Sequence, residues 1–273
     1  MTVTMGNKEG ILKRNNVRIG GQGQKVLVFA HGFGCDQYVW NRIAPAFESK
    51  YRVVLFDYVG SGRSDKSAYS KERYRSLHGY KEDLLELCDA LSLENIVFIG
   101  HSVSSMIGAL AAVERPGLMK NLIMIGPSPH FLNGEGYKGG FEKEDIEGML
   151  QMIKGDYNEF ARFLSPVVMQ NASRPHLAAD FERLLCQNDP DIISDFAEAT
   201  FLSDVREDLA KVTVPTLILQ TRNDAVAPES VGEYVHSQLQ NSEYKLMEAE
   251  GHSPHVSDAE ETISKIAEYL SAV

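Results

Sequence analysis

Residues 96–110 read IVFIGHSVSSMIGAL, and this stretch decides how the rest of the chain is understood. Ile96 to Gly100 is a short apolar, β-branched run, the composition of a buried strand. Ser104 to Val113 is rich in Ala, Met, Leu and Ile and predicts a helix packed on a sheet. Between them, Gly100-His101-Ser102-Val103-Ser104 fits the pattern G-x-S-x-G except at its last place. In that pattern a serine stands on a strained strand-to-helix turn with its hydroxyl exposed above the sheet. Small residues flank it because the two backbones pass too close for larger side chains. Serine at position 104 adds only one methylene and a hydroxyl to glycine, so Ser102 stays a candidate nucleophile. The pentapeptide alone is equally compatible with a tight turn that does no chemistry. Ser104 and Ser105 are rival hydroxyls, but both fall at the helix start, where hydroxyls tend to bond locally.

Outward from this turn, short apolar runs alternate with helical patterns, as in a mostly parallel α/β sheet. Lys25–Gly32 (KVLVFAHG) and Arg52–Phe56 are strands before the turn. Lys120–Gly126 (KNLIMIG), Val214–Asp224 (VPTLILQTRND) and Tyr244–His252 (YKLMEAEGH) are strands after it. Leu77–Leu91 has helical spacing, and a last helix begins near Ala259. From Pro127 to Asp204 strands give way to helical patterns, as in Glu142–Leu164 and His176–Gln187. Residues 127–204 therefore read as an inserted helical lid, and 1–126 with 205–273 as the core. The lid aromatics, Phe131, Phe141 and Phe201 among them, either fill the lid's own core or line an apolar pocket against the sheet.

A serine hydroxyl needs a base, and the base needs a group to orient it. Asp224 follows one strand in a polar turn, and His252 follows the last strand after a glycine. The order serine, acid, histidine, each at the end of a later strand, is that of a Ser-His-Asp triad. The oxyanion of an acyl transfer would take the backbone N–H of Val103. A second donor is expected in the glycine loop His31-Gly32-Phe33-Gly34, with Phe33 supplying it and its ring forming pocket floor. His101 adjoins Ser102 and is expected to edge the pocket with its side chain turned away from the hydroxyl. His252-x-x-His255 resembles a metal pair, but no third ligand is near and Pro254 bends the loop, so no metal and no cofactor are expected. GSGRS (Gly60–Ser64) lacks the GK[ST] ending of a phosphate loop and reads as a strand-exit turn. GGQG (Gly20–Gly23) reads as a hairpin-like connection.

Composition narrows the class. The chain has 273 residues, net charge −11, 43% hydrophobic and 24% charged residues, the profile of one large globular domain or one with an inserted cap. No Lys/Arg-rich run is present, which argues against a nucleic-acid partner. The longest apolar stretch, around Met106–Val113, is far too short for a membrane span. The N-terminal MTVTMGNKEG has no apolar core, so no signal peptide is expected. Cys35, Cys88 and Cys186 are odd in number and far apart, as in a protein of the reducing cytoplasm.

Six segments carry a family resemblance: FAHGFGCDQYVWN, LFDYVGSGRSD, GHSVSSMIG, GGFE, FLSDVREDL and GHSPHVSD. Together they resemble the α/β-hydrolase group that holds the RsbQ-type bacterial stress regulators and the plant karrikin and strigolactone receptors. The likeness runs from about Gly10 to the C-terminus. It implies an α/β-hydrolase fold, a mostly parallel twisted sheet with helices on both faces and a four-helix V-shaped lid over a small apolar cavity. It carries Ser102, Asp224 and His252 onto the triad, Phe33 and Val103 onto the oxyanion hole, and Phe141 and Phe201 onto the pocket wall. The lid and GFGCDQ are similar to the bacterial branch, while His31 and Ser104 are similar to the plant one. The function implied is a serine hydrolase of small apolar esters or lactones serving stress signalling. The alternative is a ligand-dependent signalling protein that binds a sensor-domain protein phosphatase with little turnover.

Overall fold

Strands apolar on both faces must be covered on both faces, and that requirement organises the molecule. The computed structural model describes residues 5–273. Residues 1–4 of the N-terminal segment read above lie outside the described residues; Met5–Arg14 forms helix α1. The chain then runs through strands β1 (Arg18–Gly20), β2 (Val26–Ala30) and β3 (Arg52–Leu55). Helices α2 (Lys71–Tyr74) and α3 (Leu77–Leu91) lead to β4 (Ile96–His101), α4 (Val103–Glu114) and β5 (Met119–Ile125). Four helices follow with no strand between them: α5 (Lys143–Gly155), α6 (Tyr157–Met169), α7 (His176–Leu185) and α8 (Pro190–Phe201). The short α9 (Arg206–Leu209) precedes β6 (Thr216–Arg222), α10 (Glu229–Gln238), β7 (Ser242–Glu250), α11 (Pro254–Ser257) and α12 (Ala259–Ala272).

The seven strands lie in the order β1-β3-β2-β4-β5-β6-β7, and only β1 is antiparallel to its neighbour. All six expected strands form. β1 was not expected, because its three residues are partly exposed at the sheet edge and show no apolar alternation. It also corrects the hairpin reading of Gly20–Gly23. Strand β3 separates β1 from β2, and the loop runs against the backbone of Lys50 and Tyr51.

Side chains alternate across each strand. Leu27, Phe29, Ile99 and Leu217 face one way and meet Trp40, Ile266 and Leu270. Val28, Phe98, Leu122 and Ile218 face the other way and meet Leu84 and Met106. The sheet is thus packed between two helical layers, with β4 near its middle. Among the described residues no helix is long and apolar enough to cross a membrane.

Of the four helices α5–α8, the last three contribute side chains to one cavity at the sheet. The helical pattern read as continuous over Glu142–Leu164 is cut at Asp156, which takes an extended backbone and caps α6 by accepting from the Glu159 N–H. Two bonds tie this helical segment to loops of the sheet. The Asn188 amide donates to the Gly34 carbonyl at 2.9 Å, and the His252 N–H donates to the Val168 carbonyl at 2.8 Å.

Candidate active site

Ser102 sits where β4 ends and α4 begins, at φ 55° and ψ −123°, a conformation costly for any residue with a Cβ. Its N–H donates to the Ile125 carbonyl at 2.8 Å, which ties the strained turn to the neighbouring strand. Gly100 makes the turn possible. A Cβ there would lie 2.6 Å from the carbonyl carbon and oxygen of Ser104. Position 104, by contrast, tolerates serine and uses its hydroxyl. Ser104 is fully buried, and its Oγ donates to the His31 carbonyl while accepting from the Tyr58 hydroxyl at 3.1 Å. Ser105 Oγ bonds back to the Gly100 carbonyl at 2.9 Å. Both rival hydroxyls are therefore engaged in holding the turn, Ser104 across the chain rather than locally.

The same network holds the glycine loop. His31 Nδ1 bonds to the Gly32 carbonyl at 2.9 Å, and its Nε2 accepts from the Tyr58 N–H at 3.3 Å. Such a pattern requires the proton on Nδ1. Among the described residues, the N–H groups of Phe33 and of Val103, the first residue of α4, find no protein acceptor. Two free amides beside one serine are what a developing oxyanion requires.

Asp224 and His252 meet from separate loops. His252 Nδ1 donates to Asp224 Oδ2 at 2.8 Å. The other carboxylate oxygen accepts from the Val226 and Ala227 N–H groups at 2.8 and 2.9 Å, so the anion is held from three directions. Gly126, at φ +56°, lies under the pair; a Cβ there would come within 3.2 Å of the His252 ring. His252 Nε2 is buried and has no partner among the described residues. It lines the same cavity as Ser102, and the two side chains are not hydrogen-bonded to each other. Catalytic contacts of this kind commonly close only around substrate.

Behind His252 lies a stack of rings. The His101 ring centroid is 4.9 Å from that of His252 and 4.3 Å from that of His255, which packs 4.5 Å from Trp40. His101 Nε2 donates to the main-chain carbonyl of His252 at 2.8 Å. Burial, with the neighbouring histidines adding to it, holds His101 well below the usual histidine range. Burial above all, then His252, pushes His255 down to about 3. Both therefore stay neutral, so neither repels a proton arriving on His252.

The cavity is small, with a volume of about 30 Å³. Phe33, Phe131, Phe181 and Phe201 make most of its wall, with Leu164 and Val168 from α6. Phe33 meets Phe201 with ring centroids 5.4 Å apart, and Phe201 meets Phe131 at 5.2 Å. Of the expected pocket residues, Phe33, His101 and Phe201 border this space and Phe141 does not. The Phe141 backbone pairs with Phe131 and Asn133, which leaves its ring half-buried behind Phe131. Phe131 and Phe181 carry no local sequence signal that separates them from aromatics such as Phe160, which is fully buried and does not line the cavity. In Gly60–Ser64 the Asp57 carboxylate accepts from the Arg63 N–H at 3.0 Å, a bond that holds the turn after β3.

Comparison with known proteins gives a consistent set. Residues 25–141 match a family model described as alpha/beta hydrolase fold, and residues 199–272 match one described as TAP-like protein. The chain is 40% identical over 252 residues to a strigolactone esterase of Arabidopsis thaliana, covering 92% of this chain and 94% of that one. It is 38% identical over 256 residues to the karrikin insensitive 2 receptor IA of Petunia hybrida, covering 93% of each. A solved hydrolase from Oleispira antarctica superposes with a TM-score of 0.94 at 40% identity, covering 97% of both chains.

Proposed function

The chain belongs to the α/β-hydrolase family and is a serine hydrolase of that type; on that premise we propose that it cleaves a small apolar ester or lactone through Ser102, His252 and Asp224. The observation that carries this is the 2.8 Å Asp224–His252 bond, which fixes the proton on Nδ1 and leaves Nε2 free in the cavity that Ser102 lines. In this mechanism His252 Nε2 takes the Ser102 proton as Oγ attacks the substrate carbonyl. The Val103 and Phe33 N–H groups hold the oxyanion, and Asp224 stabilises the imidazolium. His252 then hands its proton to the leaving oxygen. Water, activated by the same nitrogen, releases the acyl group. The aromatic wall selects for apolar shape.

We take residues 127–204 as a lid on a core of 1–126 and 205–273, and the cytoplasm as its place of action. Replacing Ser102 by Ala tests the mechanism. Hydrolysis of p-nitrophenyl acetate should fall to the background rate, and intact mass should show an acyl adduct on the native protein and none on the variant. Undiminished turnover in S102A would defeat it.

A second reading is favoured by the match to a protein named a receptor at 38% identity over nearly its whole length. In it, slow turnover or a trapped ligand changes the surface offered to a partner. The partner proposed is a sensor-domain protein phosphatase of a stress pathway, a choice that rests on the sequence resemblance alone. Ligand-dependent binding to such a phosphatase, measured with native protein and S102A, tests it; no binding by either would count against it.

A further inference from the structure

Hydroxyls inside helices usually satisfy themselves on the carbonyl four residues back. Ser165 in α6 does so at 2.6 Å to Ala161, and Thr262 in α12 at 3.1 Å to Asp258. Thr200, near the end of α8, does not. It is 1% exposed and lines the cavity, and its Oγ1 has no partner among the described residues. Its surroundings explain why this is costly. The adjacent residue is Phe201, whose ring meets Phe33 and Phe131, and among the described residues no protein group lies within hydrogen-bond reach of Oγ1. A buried hydroxyl without a partner destabilises the fold, and such a group in a native protein calls for an explanation.

From this we infer that Thr200 is a specificity residue: its hydroxyl donates a hydrogen bond to a second oxygen of the ligand, one separate from the ester or lactone group that reacts at Ser102. The ligand class is then an apolar ester or lactone bearing an additional ether or carbonyl oxygen. An acceptor oxygen is the ligand group required by a buried threonine O–H that has no protein acceptor. The inference deepens the proposed hydrolysis and rests on it.

The test compares p-nitrophenyl esters in isosteric pairs: methoxyacetate with butyrate, methoxypropanoate with pentanoate, methoxybutanoate with hexanoate. Moving the ether oxygen along the chain scans the depth of the pocket. The quantity read is the ether-to-alkyl ratio of kcat/KM, in which the intrinsic reactivity of each ester cancels between protein variants. In at least one pair T200V should lower this ratio about 10-fold relative to the native protein, the weight of one buried neutral hydrogen bond. T200S, which keeps the hydroxyl, should stay near the native ratio. T200V should also melt at a higher temperature than the native protein, because it removes an unpaired buried hydroxyl. T200A supplies the same ratio comparison should T200V not fold. Unchanged ratios in every pair, or T200S behaving like T200V, would overturn the assignment. S102A separates the two levels. If S102A is silent on all six esters while the T200V ratios are native, only the role of Thr200 falls; if S102A still turns them over, the proposed hydrolysis falls first.

Discussion

The hydroxyl of Ser104 donates to the main-chain carbonyl of His31 and so joins the helix behind the candidate nucleophile to the loop that carries the Phe33 amide. Position 104 is where the turn pattern would have glycine. The serine does more than fit: with Tyr58 donating to it, it links three segments that are distant in sequence.

Ser104→Ala is therefore expected to cost about 1–3 kcal/mol of stability, since it orphans a buried carbonyl. Ala keeps the helix propensity, so the loss reports the hydroxyl rather than the backbone. Urea midpoints with unchanged slope check this, and a native midpoint would show the contact to be idle.

Asp224→Asn should leave the fold intact and lower kcat by roughly 10³–10⁴-fold. The amide can still accept from Val226 and Ala227 through its oxygen, but it presents an NH₂ group to His252 Nδ1. That forces the proton onto Nε2, the nitrogen that must be free. Steady-state kinetics on p-nitrophenyl acetate, with KM near native, is the expected signature; a kcat within a few-fold of native would remove Asp224 from the mechanism.

His101→Leu removes the N–H that holds the His252 carbonyl at 2.8 Å. Misplacement of a general base by less than an ångström is enough to slow proton transfer, and a fall in kcat of about 10-fold or more is expected. His101→Gln places an amide N–H near the lost Nε2–H and should restore most of the rate. Equal loss in both variants would show that ring packing matters and the hydrogen bond does not.

Acid should destabilise the protein through two buried histidines. His101 and His255 are buried neutral with lowered proton affinity, His255 at about 3. The unfolded chain binds protons at these residues near the ordinary histidine value of about 6.5, where the folded chain does not. For His255 the contribution is complete above about pH 6.5 and is lost as pH falls towards 3, by about 1.4 kcal/mol per pH unit, and His101 acts in the same direction. Melting temperatures between pH 7 and 4.5 should drop steadily, and His255→Leu should flatten the slope relative to the native protein. An unchanged slope in that variant would mean that His255 is protonated in the folded state.

The fold was legible because the strands from β2 to β6 are short apolar runs ending near a glycine, serine or polar turn. That pattern follows from burial on both faces and needs no long-range information. The seating of Ser102, Asp224 and His252 was legible for the same reason: each follows a strand end that the local sequence announces.

Other features depended on residues far apart in the chain. Phe131 and Phe181 face the cavity while Phe141 and Phe160 do not, because the pairing of residues 131–141 and the break at Asp156 set which way each ring turns. The bond from His252 to Val168 and the stack of His101 on His255 and Trp40 join segments separated by tens of residues or more, and the hydroxyl of Thr200 is left without a partner by the same packing. Local composition determined which elements form and where the reactive side chains are strung. Only the packing of those elements decided which polar atoms find partners and which are left facing the cavity, because a hydrogen bond or an aromatic contact depends on distances that sequence spacing does not contain.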